Sequence, residues 1–424
     1  MSHAESATTL AVIAACFLLW GLVAARLERW DVSAPIAFVV LGLVVTHGPT
    51  TIVHVNLHSS AVRTLAEIAL ALVLFVDASR VNARRISEAP AIPLRLLGLG
   101  LPMTIAAGAV VAAALFASGG WWVAAVIGAI VAPTDAALGA SIMEDERVPG
   151  PIRRVLNVES GLNDGIVTPF VNLFLAGALT SEAVRGAQTL AAAVVDLVGG
   201  AGIGVGIGLA GALLVGLSRR HGWSSPNSRA LALVALALSA FGCAVVAGTN
   251  GFIAAFVAGM AFGTADHRAD AEQLELAEQG GTLLSLLVWF FFGALMLVPG
   301  LEYADWRDVV FAVLALTAVR MVPVALSLLG SGLDRTTVAF VGWFGPRGLA
   351  SIVFGLIAVD ACAPEQSKEV LAAVTLTVAG SVLLHGVTAG PFAARYGSRM
   401  SAHPAADPPP AVTVRTLRGR RPSA

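Results

Sequence analysis

Long apolar stretches alternate along the chain with short clusters of charged residues, Pro and Gly. Dividing the sequence at these clusters gives thirteen apolar segments, and a membrane-spanning helix needs about 20 such residues. Their approximate ranges are 7–25, 33–46, 61–79, 94–117, 121–142, 152–180, 187–217, 229–247, 249–264, 277–298, 306–330, 335–359 and 367–393. This pattern predicts an all-α membrane protein with about thirteen transmembrane helices.

Composition strengthens this prediction. Of the 424 residues, 57% are hydrophobic and only 12% are charged, whereas soluble domains carry about 25% charged residues. The formal net charge is −1, and no feature of the sequence indicates a nucleic acid partner. The three Cys residues lie in apolar surroundings, which favours small buried side chains over disulfides. We expect no cofactor.

Basic residues concentrate on one side of the predicted membrane. With the N-terminus outside, the inner loops and C-terminal tail hold 20 of the 26 basic residues, and the outer loops hold four. Because cytoplasmic loops carry the excess of Arg and Lys, we expect a multi-pass protein of the cytoplasmic membrane with its C-terminus inside. Arg26 and Arg29 follow the first apolar run, which predicts a retained helix and not a signal peptide.

The segments predict one transmembrane domain over residues 1–397. The fifth and twelfth segments are interrupted, and they occupy corresponding places in two sets of six helices, about 7–180 and 229–393, joined by a connector at 187–217. Two six-helix inverted repeats with two discontinuous crossing helices are typical of secondary transporters. Residues 398–424 are Pro-rich and Arg-rich. We expect a disordered cytoplasmic tail there, with contact to anionic lipid as the alternative.

Both interruptions contain residues that break helices. The fifth segment has APTD at 132–135, where Pro removes a backbone donor and frees carbonyls that can bind an ion. A simple kink with Asp135 capping the second half-helix is the alternative. The twelfth segment has GWFGPRG at 342–348, with Arg347 between Pro and Gly.

Four polar residues share one face of the sixth segment, whose sequence is VLNVESGLNDGIVTP. Glu159 and Asn163 are four residues apart, as are Ser160 and Asp164, so they lie close together on a helix. Carboxylate, amide and hydroxyl oxygens are hard ligands that suit a small desolvated cation. Because charges inside a membrane are costly, we interpret this face as a functional site, with an accidental polar patch as the alternative.

Two arginines lie within apolar segments. Arg320 and Arg347 cannot shed their charge, so we expect one of them to pair with Glu159 and keep it ionised, either structurally or as part of the site. Asp164 has no basic residue nearby in its own segment and can hold a proton in one state and a metal cation in the other. Since Asn163 cannot ionise, one proton leaves per cation bound, which predicts electroneutral 1:1 exchange.

Other features carry less weight. Asp77, near the inner end of the third segment, is either a water-facing helix-end residue or part of a gate. His385 is interpreted as a packed polar residue and not a pH sensor. Gly200, Gly204 and Gly208 repeat every four residues, which predicts close helix packing and not a dinucleotide-binding loop.

Together, these motifs resemble those of the sodium/proton antiporters of the monovalent cation:proton antiporter-1 family. The strongest likeness covers about residues 125–175 and 338–352, and the thirteen-span plan extends it over nearly the whole chain. The resemblance implies a homodimer with a dimerisation domain and a core domain that carries the ion by an elevator-like movement. It also implies that the pair Asn163 and Asp164 marks the electroneutral branch.

The resemblance further assigns a cation and proton site. Asp164 would bind both ions in turn, because its motif position is that of the family's carrier carboxylate. Glu159, Ser160 and the backbone of Thr134 would complete the cation site, and Asn163 would support it.

Three more residues are predicted to support the site. These are Asp135, Arg320 and Arg347, and the resemblance implies that Arg347 is the basic residue near Glu159. Ala136 stands where the family often has a second Pro, which leaves the geometry of the unwound segment open.

The sequence therefore predicts a secondary active antiporter that exchanges H+ for a monovalent cation, with Na+ first and Li+ or K+ as alternatives. A sodium-coupled symporter of an organic anion on the same fold is the competing transport function, with Arg347 as the anion contact. An intramembrane enzyme is disfavoured because the sequence has neither a paired G-x-G-D and Y-D arrangement nor H-E-x-x-H. The expected partners are the cation, the proton, membrane lipid and a second copy of the chain.

Overall fold

The computed structural model describes residues 3–30, 32–48, 57–80, 91–116, 119–179, 187–266 and 271–402, and every regular element in these ranges is helical. In chain order the helices are α1 (His3–Leu27), α2 (Ala34–His47), α3 (Ser60–Arg80), α4 (Ala91–Leu115), α5 (Gly120–Ile130), α6 (Ala136–Met143), α7 (Gly150–Leu179), α8 (Ala187–Arg220), α9 (Pro226–Val246), α10 (Gly251–Ala265), α11 (Ala271–Phe291, prolonged through Phe292–Met296 to Leu297–Tyr303), α12 (Trp306–Leu316), α13 (Ala318–Ser327), α14 (Arg335–Trp343), α15 (Leu349–Ala361) and α16 (Pro364–Ala402).

Eight helical stretches within the described ranges are long and apolar enough to cross a membrane. The shorter apolar helices α2, α5, α10 and α15 accompany them. The prediction of an all-α membrane protein is thus confirmed, whereas the exact count of thirteen spans stays a prediction.

Both predicted helix interruptions are present. The fifth segment divides into α5 and α6 around residues 131–135, and the twelfth divides into α14 and α15 around residues 344–348. Pro133 and Pro346 have no backbone N–H to continue a helix. The Asp135 N–H donates to the Pro346 carbonyl at 2.7 Å, so the two interruptions meet each other inside the protein.

A third interruption was not predicted. The segment expected at 306–330 divides at Thr317 into α12 and α13, where the Thr317 backbone has φ −118° and ψ −94°. The Thr317 hydroxyl donates to the Val313 carbonyl at 2.5 Å, a bond by which Thr competes with the regular helix pattern. This break places Arg320 on the first turn of α13.

Helix α8 packs closely on α10 through the repeated glycines. A Cβ atom at Gly204 would lie 2.5 Å from the Ala254 carbonyl oxygen, and one at Gly208 would lie 2.5 Å from that of Ala258. Small residues let two helix backbones approach in this way. The packing predicted from the four-residue spacing is confirmed.

Replacing Gly204 with Leu is therefore expected to destabilise the protein by about 1–3 kcal/mol, because extra atoms in a packed interface force the backbones apart. Thermal unfolding in detergent measures the effect as a lower melting temperature. Gly202 is the matched control, since a Cβ there meets nothing within 4 Å, and Gly202→Leu should leave the melting temperature unchanged. Equal effects of the two substitutions would contradict the packing argument.

Helix α16 is longer than the apolar segment that predicted it. It continues to Ala402 and so enters the segment expected to form the tail, while residues 403–424 lie outside the described ranges. Tyr396 stacks on Phe340 with ring centroids 4.2 Å apart, and its hydroxyl lies 2.8 Å from that of Thr337. These contacts hold the extension of α16 against α14.

Candidate functional site

Helix α7 carries four of the predicted site residues on one face. Their exposed fractions are 3% for Glu159, 5% for Ser160, 1% for Asn163 and 9% for Asp164. Spacings of three and four residues place these side chains one turn apart. Because all four are buried, the polar face points into the protein and not toward lipid.

Thr134, in the interruption between α5 and α6, contacts this face. Its Oγ1 lies 3.0 Å from Ser160 Oγ and accepts a hydrogen bond from Asn163 Nδ2 at 2.6 Å. The family resemblance implied a role for the Thr134 backbone, and the structure identifies its hydroxyl as the group that contacts α7. The first helix break is therefore fixed directly against the polar face.

Two buried oxygens in this cluster have no hydrogen-bond donor among the described residues. They are Asp164 Oδ1 and Asn163 Oδ1. Buried polar atoms in proteins are almost always paired, so an unpaired acceptor requires an explanation such as a bound ion or a proton. Chemically, both oxygens are suited to coordinate a hard cation.

Asp135 caps two helices at once. Its Oδ1 accepts from the Leu138 N–H at 2.8 Å at the start of α6, and its Oδ2 accepts from the Leu349 N–H at 2.7 Å at the start of α15. Helix N-termini have unpaired N–H groups and a partial positive charge, which a carboxylate stabilises. The capping alternative for Asp135 is what the geometry shows, and the second cap joins the two interruptions.

The glycines around Arg347 allow this close approach. A Cβ atom at Gly348 would collide with the Asp135 carboxylate, and one at Gly345 would lie 2.6 Å from Arg320 Nε. Glycine is therefore required at these two positions by space.

Glu159 pairs with Arg320. Arg320 Nη1 lies 2.6 Å from Glu159 Oε1, and the two side chains are 2% and 4% exposed. The expectation that one of the two arginines pairs with Glu159 is confirmed, and the partner is Arg320. Arg347, which the resemblance placed near Glu159, interacts with that carboxylate electrostatically without forming an ion pair with it. The break at Thr317 places Arg320 on the first turn of α13, where its guanidinium reaches Glu159 on α7.

Arg347 instead contacts backbone carbonyls. It is fully buried, and its Nη1 donates to the Ala132 carbonyl at 3.0 Å while its Nη2 donates to the Ala315 carbonyl at 3.4 Å. Ala315 lies in the last turn of α12, and Ala132 lies in the break just after α5, so both carbonyls lack the partners that a continuous helix would give them. The Arg347 guanidinium thus binds free carbonyls at the C-terminal ends of two interrupted helices, where the helix dipole is negative.

Asp77 faces the site, which the sequence had left open. On α3 it packs against Gly161 of α7, where a Cβ atom would lie 3.6 Å from the Asp77 Cβ. Its carboxylate and that of Asp135 both interact electrostatically with Asp164. The available signal was Gly161 itself, which leaves space for an acidic side chain beside Asp164.

The family is decided by a comparison over most of the chain. A model of the sodium/hydrogen exchanger transmembrane family matches residues 11–395. The chain belongs to this family. Its members are transporters and not enzymes, so the intramembrane enzyme is rejected.

Curated relatives of this family member include antiporters for two cations. It is 28% identical over 246 residues to a probable Na+/H+ antiporter of Schizosaccharomyces pombe. That match covers 55% of this chain and 32% of the relative. It is 27% identical over 318 residues to the K+/H+ antiporter NhaP2 of Shewanella sp. strain ANA-3, covering 71% of this chain and 52% of the relative. The chain thus spans between a third and about half of the length of these relatives.

Among solved structures, the sodium proton antiporter MjNhaP1 from Methanocaldococcus jannaschii at pH 8 has a similar fold. The TM-score is 0.73 at 19% sequence identity, over 93% of this chain and 99% of that chain. This similarity confirms the predicted antiporter fold.

Proposed function

We propose that the chain is a secondary active antiporter that exchanges H+ for a monovalent cation at Asp164. The observation that carries the proposal is the buried Asp164 Oδ1, which has no donor among the described residues. A proton or a cation can satisfy this oxygen, but not both at once. Competition of two ions for one carboxylate is sufficient for exchange when the site opens to each side of the membrane in turn.

The proposed cation ligands surround the first helix break. Ser160, one turn before Asp164 on α7, and Thr134, which contacts Ser160, supply hydroxyl oxygens, and Asn163 supports them by its hydrogen bond to Thr134. Glu159 contributes the carboxylate oxygen that does not contact Arg320. This set combines charged and neutral hard oxygen ligands, which alkali cations prefer.

Asp135, Arg320 and Arg347 are proposed to support the site without binding the ion. Asp135 and Arg347 cap the interrupted helices, and Arg320 neutralises Glu159. Their hydrogen bonds hold unwound backbone inside the protein, where irregular backbone is tolerated because it is shielded from lipid.

Na+ is the first candidate cation, with Li+ and K+ as alternatives. The relatives support both Na+ and K+, since one is a probable Na+/H+ antiporter and another a K+/H+ antiporter. Oxygen ligands serve either ion, and the choice depends on the size and flexibility of the site.

Exchange is proposed to be electroneutral with one proton per cation. Asn163 is uncharged, and Glu159 is neutralised by Arg320, so Asp164 is the group that changes its protonation. The site then carries the same net charge with either ion bound.

The order of helix ends in the proposed topology has support in the ion pairs between helices. Each of three pairs joins helix ends that the predicted topology places on the same side. The pairs are Arg80–Glu278 and Arg219–Asp266 at the predicted inner ends and Arg63–Asp360 at the predicted outer ends. The excess of Arg and Lys on one side then gives the proposed orientation, a multi-pass protein of the cytoplasmic membrane with its N-terminus outside and its C-terminus inside.

A homodimer with an elevator-like movement of the core also remains part of the proposal. In the most apolar window of α1, only 6% of the residues are buried within the chain. This helix therefore offers a broad apolar face to membrane lipid or to a second copy.

The symporter is not favoured. Its expected anion contact, Arg347, is fully buried, and both terminal nitrogens donate to backbone carbonyls. A guanidinium held in this way is not available to an organic anion.

Proton movement in proteoliposomes tests the proposed function. Acid-loaded vesicles containing the purified chain and an internal pH dye are expected to become alkaline when external Na+, Li+ or K+ is added, and the initial rates rank the ions. The rates should be equal at zero and at inside-negative clamped potentials, because exchange moves no net charge. Protein-free vesicles give the background.

Two outcomes would contradict the proposal at different levels. Folded protein that responds to none of the three cations would reject antiport. A clear dependence of the rate on voltage would reject the 1:1 stoichiometry alone.

A further inference from the structure

Helix α16 contacts the second interruption through two buried polar side chains. Ser381 Oγ accepts a hydrogen bond from the Arg347 N–H at 2.6 Å. His385 Nε2 lies 2.9 Å from the Trp343 carbonyl oxygen, and its Nδ1 lies 3.1 Å from Ser381 Oγ. Ser381 and His385 are 0% and 4% exposed. One helix therefore binds both sides of the break between α14 and α15.

These contacts form a line of hydrogen bonds that runs from the Arg347 N–H through Ser381 and His385 to the Trp343 carbonyl. The donors and acceptors in this line fit a neutral imidazole. A carbonyl only accepts, so Nε2 must carry a hydrogen to bond the Trp343 carbonyl. Ser381 Oγ accepts from Arg347 and donates its own hydrogen to Nδ1. The Ser381 carbonyl, 2.9 Å from Nδ1, can be a partner only if Nδ1 is protonated as well. The Nε2–H form thus satisfies the line from the Arg347 N–H to the Trp343 carbonyl.

The two ends of this line are groups that a broken helix leaves unpaired. Trp343 is the last residue of α14, where carbonyls lack helical partners. Arg347 lies in the break, and its guanidinium reaches the Ala132 carbonyl in the other break. The position of Arg347 therefore depends on α16 through Ser381 and His385.

The same order of residues occurs at the first interruption. There, Thr134 in the break contacts Ser160 on the helix that follows, and Asp164 comes four residues later. At the second interruption, Ser381 on the helix that follows contacts the break, and His385 comes four residues later. Asp164 has an unpaired oxygen, whereas both ring nitrogens of His385 have partners within the protein.

We propose that His385, acting through Ser381, is a positioning residue that fixes the second helix break and Arg347, and thereby the geometry of the cation site at the first break. The inference rests on the proposed antiport at Asp164. Loss of the line should displace the carbonyls that Arg347 holds next to Thr134. The main effect falls on the apparent affinity for the cation and less on the maximum rate.

Paired substitutions test this role. His385→Gln retains an N–H donor near the Nε2 position, His385→Asn retains an acceptor near the Nδ1 position, and His385→Phe removes both. Proteoliposome exchange over a range of cation concentrations separates KM from the maximum rate. Cation-induced increases of the melting temperature measure binding without transport.

We expect His385→Phe and Ser381→Ala to raise the cation KM about five- to tenfold, the size expected for loss of one hydrogen bond. The Gln and Asn variants should each recover part of this loss. Thr377→Val is the matched control, because that buried hydroxyl lies one turn earlier on α16 and bonds the carbonyl of its own helix. Its KM should equal that of the wild type.

Other results would overturn the proposal. An unchanged KM and unchanged cation-induced stabilisation in His385→Phe and Ser381→Ala would show that the line does not position the site. A lower maximum rate at an unchanged KM would assign His385 a purely structural role. Absence of exchange by the folded wild type would instead reject the antiport function, and this inference with it.

Discussion

Replacing Asp164 with Asn is expected to reduce cation-driven proton movement to the level of protein-free vesicles. The amide retains nearly the same shape but neither holds the exchanged proton nor carries the charge that binds the cation. Because Asp164 Oδ1 has no donor among the described residues, the substitution breaks no side-chain hydrogen bond of this oxygen. The melting temperature in detergent should therefore be equal to that of the wild type or higher.

The matched control is a carboxylate far from the site. Glu278→Gln changes an exposed residue of α11 that pairs with Arg80, and we expect wild-type exchange from this variant. Exchange above background in Asp164→Asn would show that another acid exchanges the proton. Asp77 would then be the first group to replace, because its carboxylate is close enough to interact with Asp164.

Local patterns predicted those parts of the site that depend on short stretches of sequence. Pro133 and Pro346 marked two helix breaks because Pro cannot continue the hydrogen-bond pattern. The spacing of Ser160 and Asp164 likewise needs only a short stretch of sequence to place them on one face, since residues four apart are neighbours on a helix. Both predictions needed no knowledge of how helices pack.

Contacts between helices were less predictable. A cap by Asp135 on one helix was an alternative that the sequence offered, but its second cap, on α15, depends on the meeting of two breaks that are more than 200 residues apart in sequence. The role of Asp77 stayed open between a water-facing helix end and a gate, because nothing on α3 shows that Gly161 of α7 lies against it. Packing determines both contacts.

The choice between Arg320 and Arg347 as partner of Glu159 depended on the break at Thr317. Its surroundings, ALTAVRM, contain neither Pro nor Gly, so apolar periodicity predicted a continuous helix. The break frees the Ala315 carbonyl for Arg347 and places Arg320 beside α7. The sequence therefore left either arginine as the partner of Glu159, and the unpredicted break decides between them.

Replacing Arg320 with Met is expected to destabilise the protein by about 3–5 kcal/mol, because it leaves the Glu159 carboxylate buried without its partner. A loss of this size is a large fraction of the about 5–15 kcal/mol that holds a typical protein folded. Thermal unfolding in detergent should show a much lower melting temperature and less folded protein. Arg63→Met is the matched control, since Arg63 is 40% exposed where it pairs with Asp360 and Glu67, and exposed pairs contribute only about 0–1 kcal/mol each.

Combining Arg320→Met with Glu159→Gln separates the structural role of this pair from a role in transport. The second substitution removes the unpaired Glu159 charge, so the double variant should regain most of the lost stability. The non-additivity of the changes in unfolding free energy measures the coupling of the pair. We expect exchange to remain weak in the double variant, because the cation has lost the Glu159 carboxylate. Full recovery of exchange together with stability would show that the pair only holds the fold, and the cation site would then consist of Asp164, Ser160 and Thr134 without Glu159.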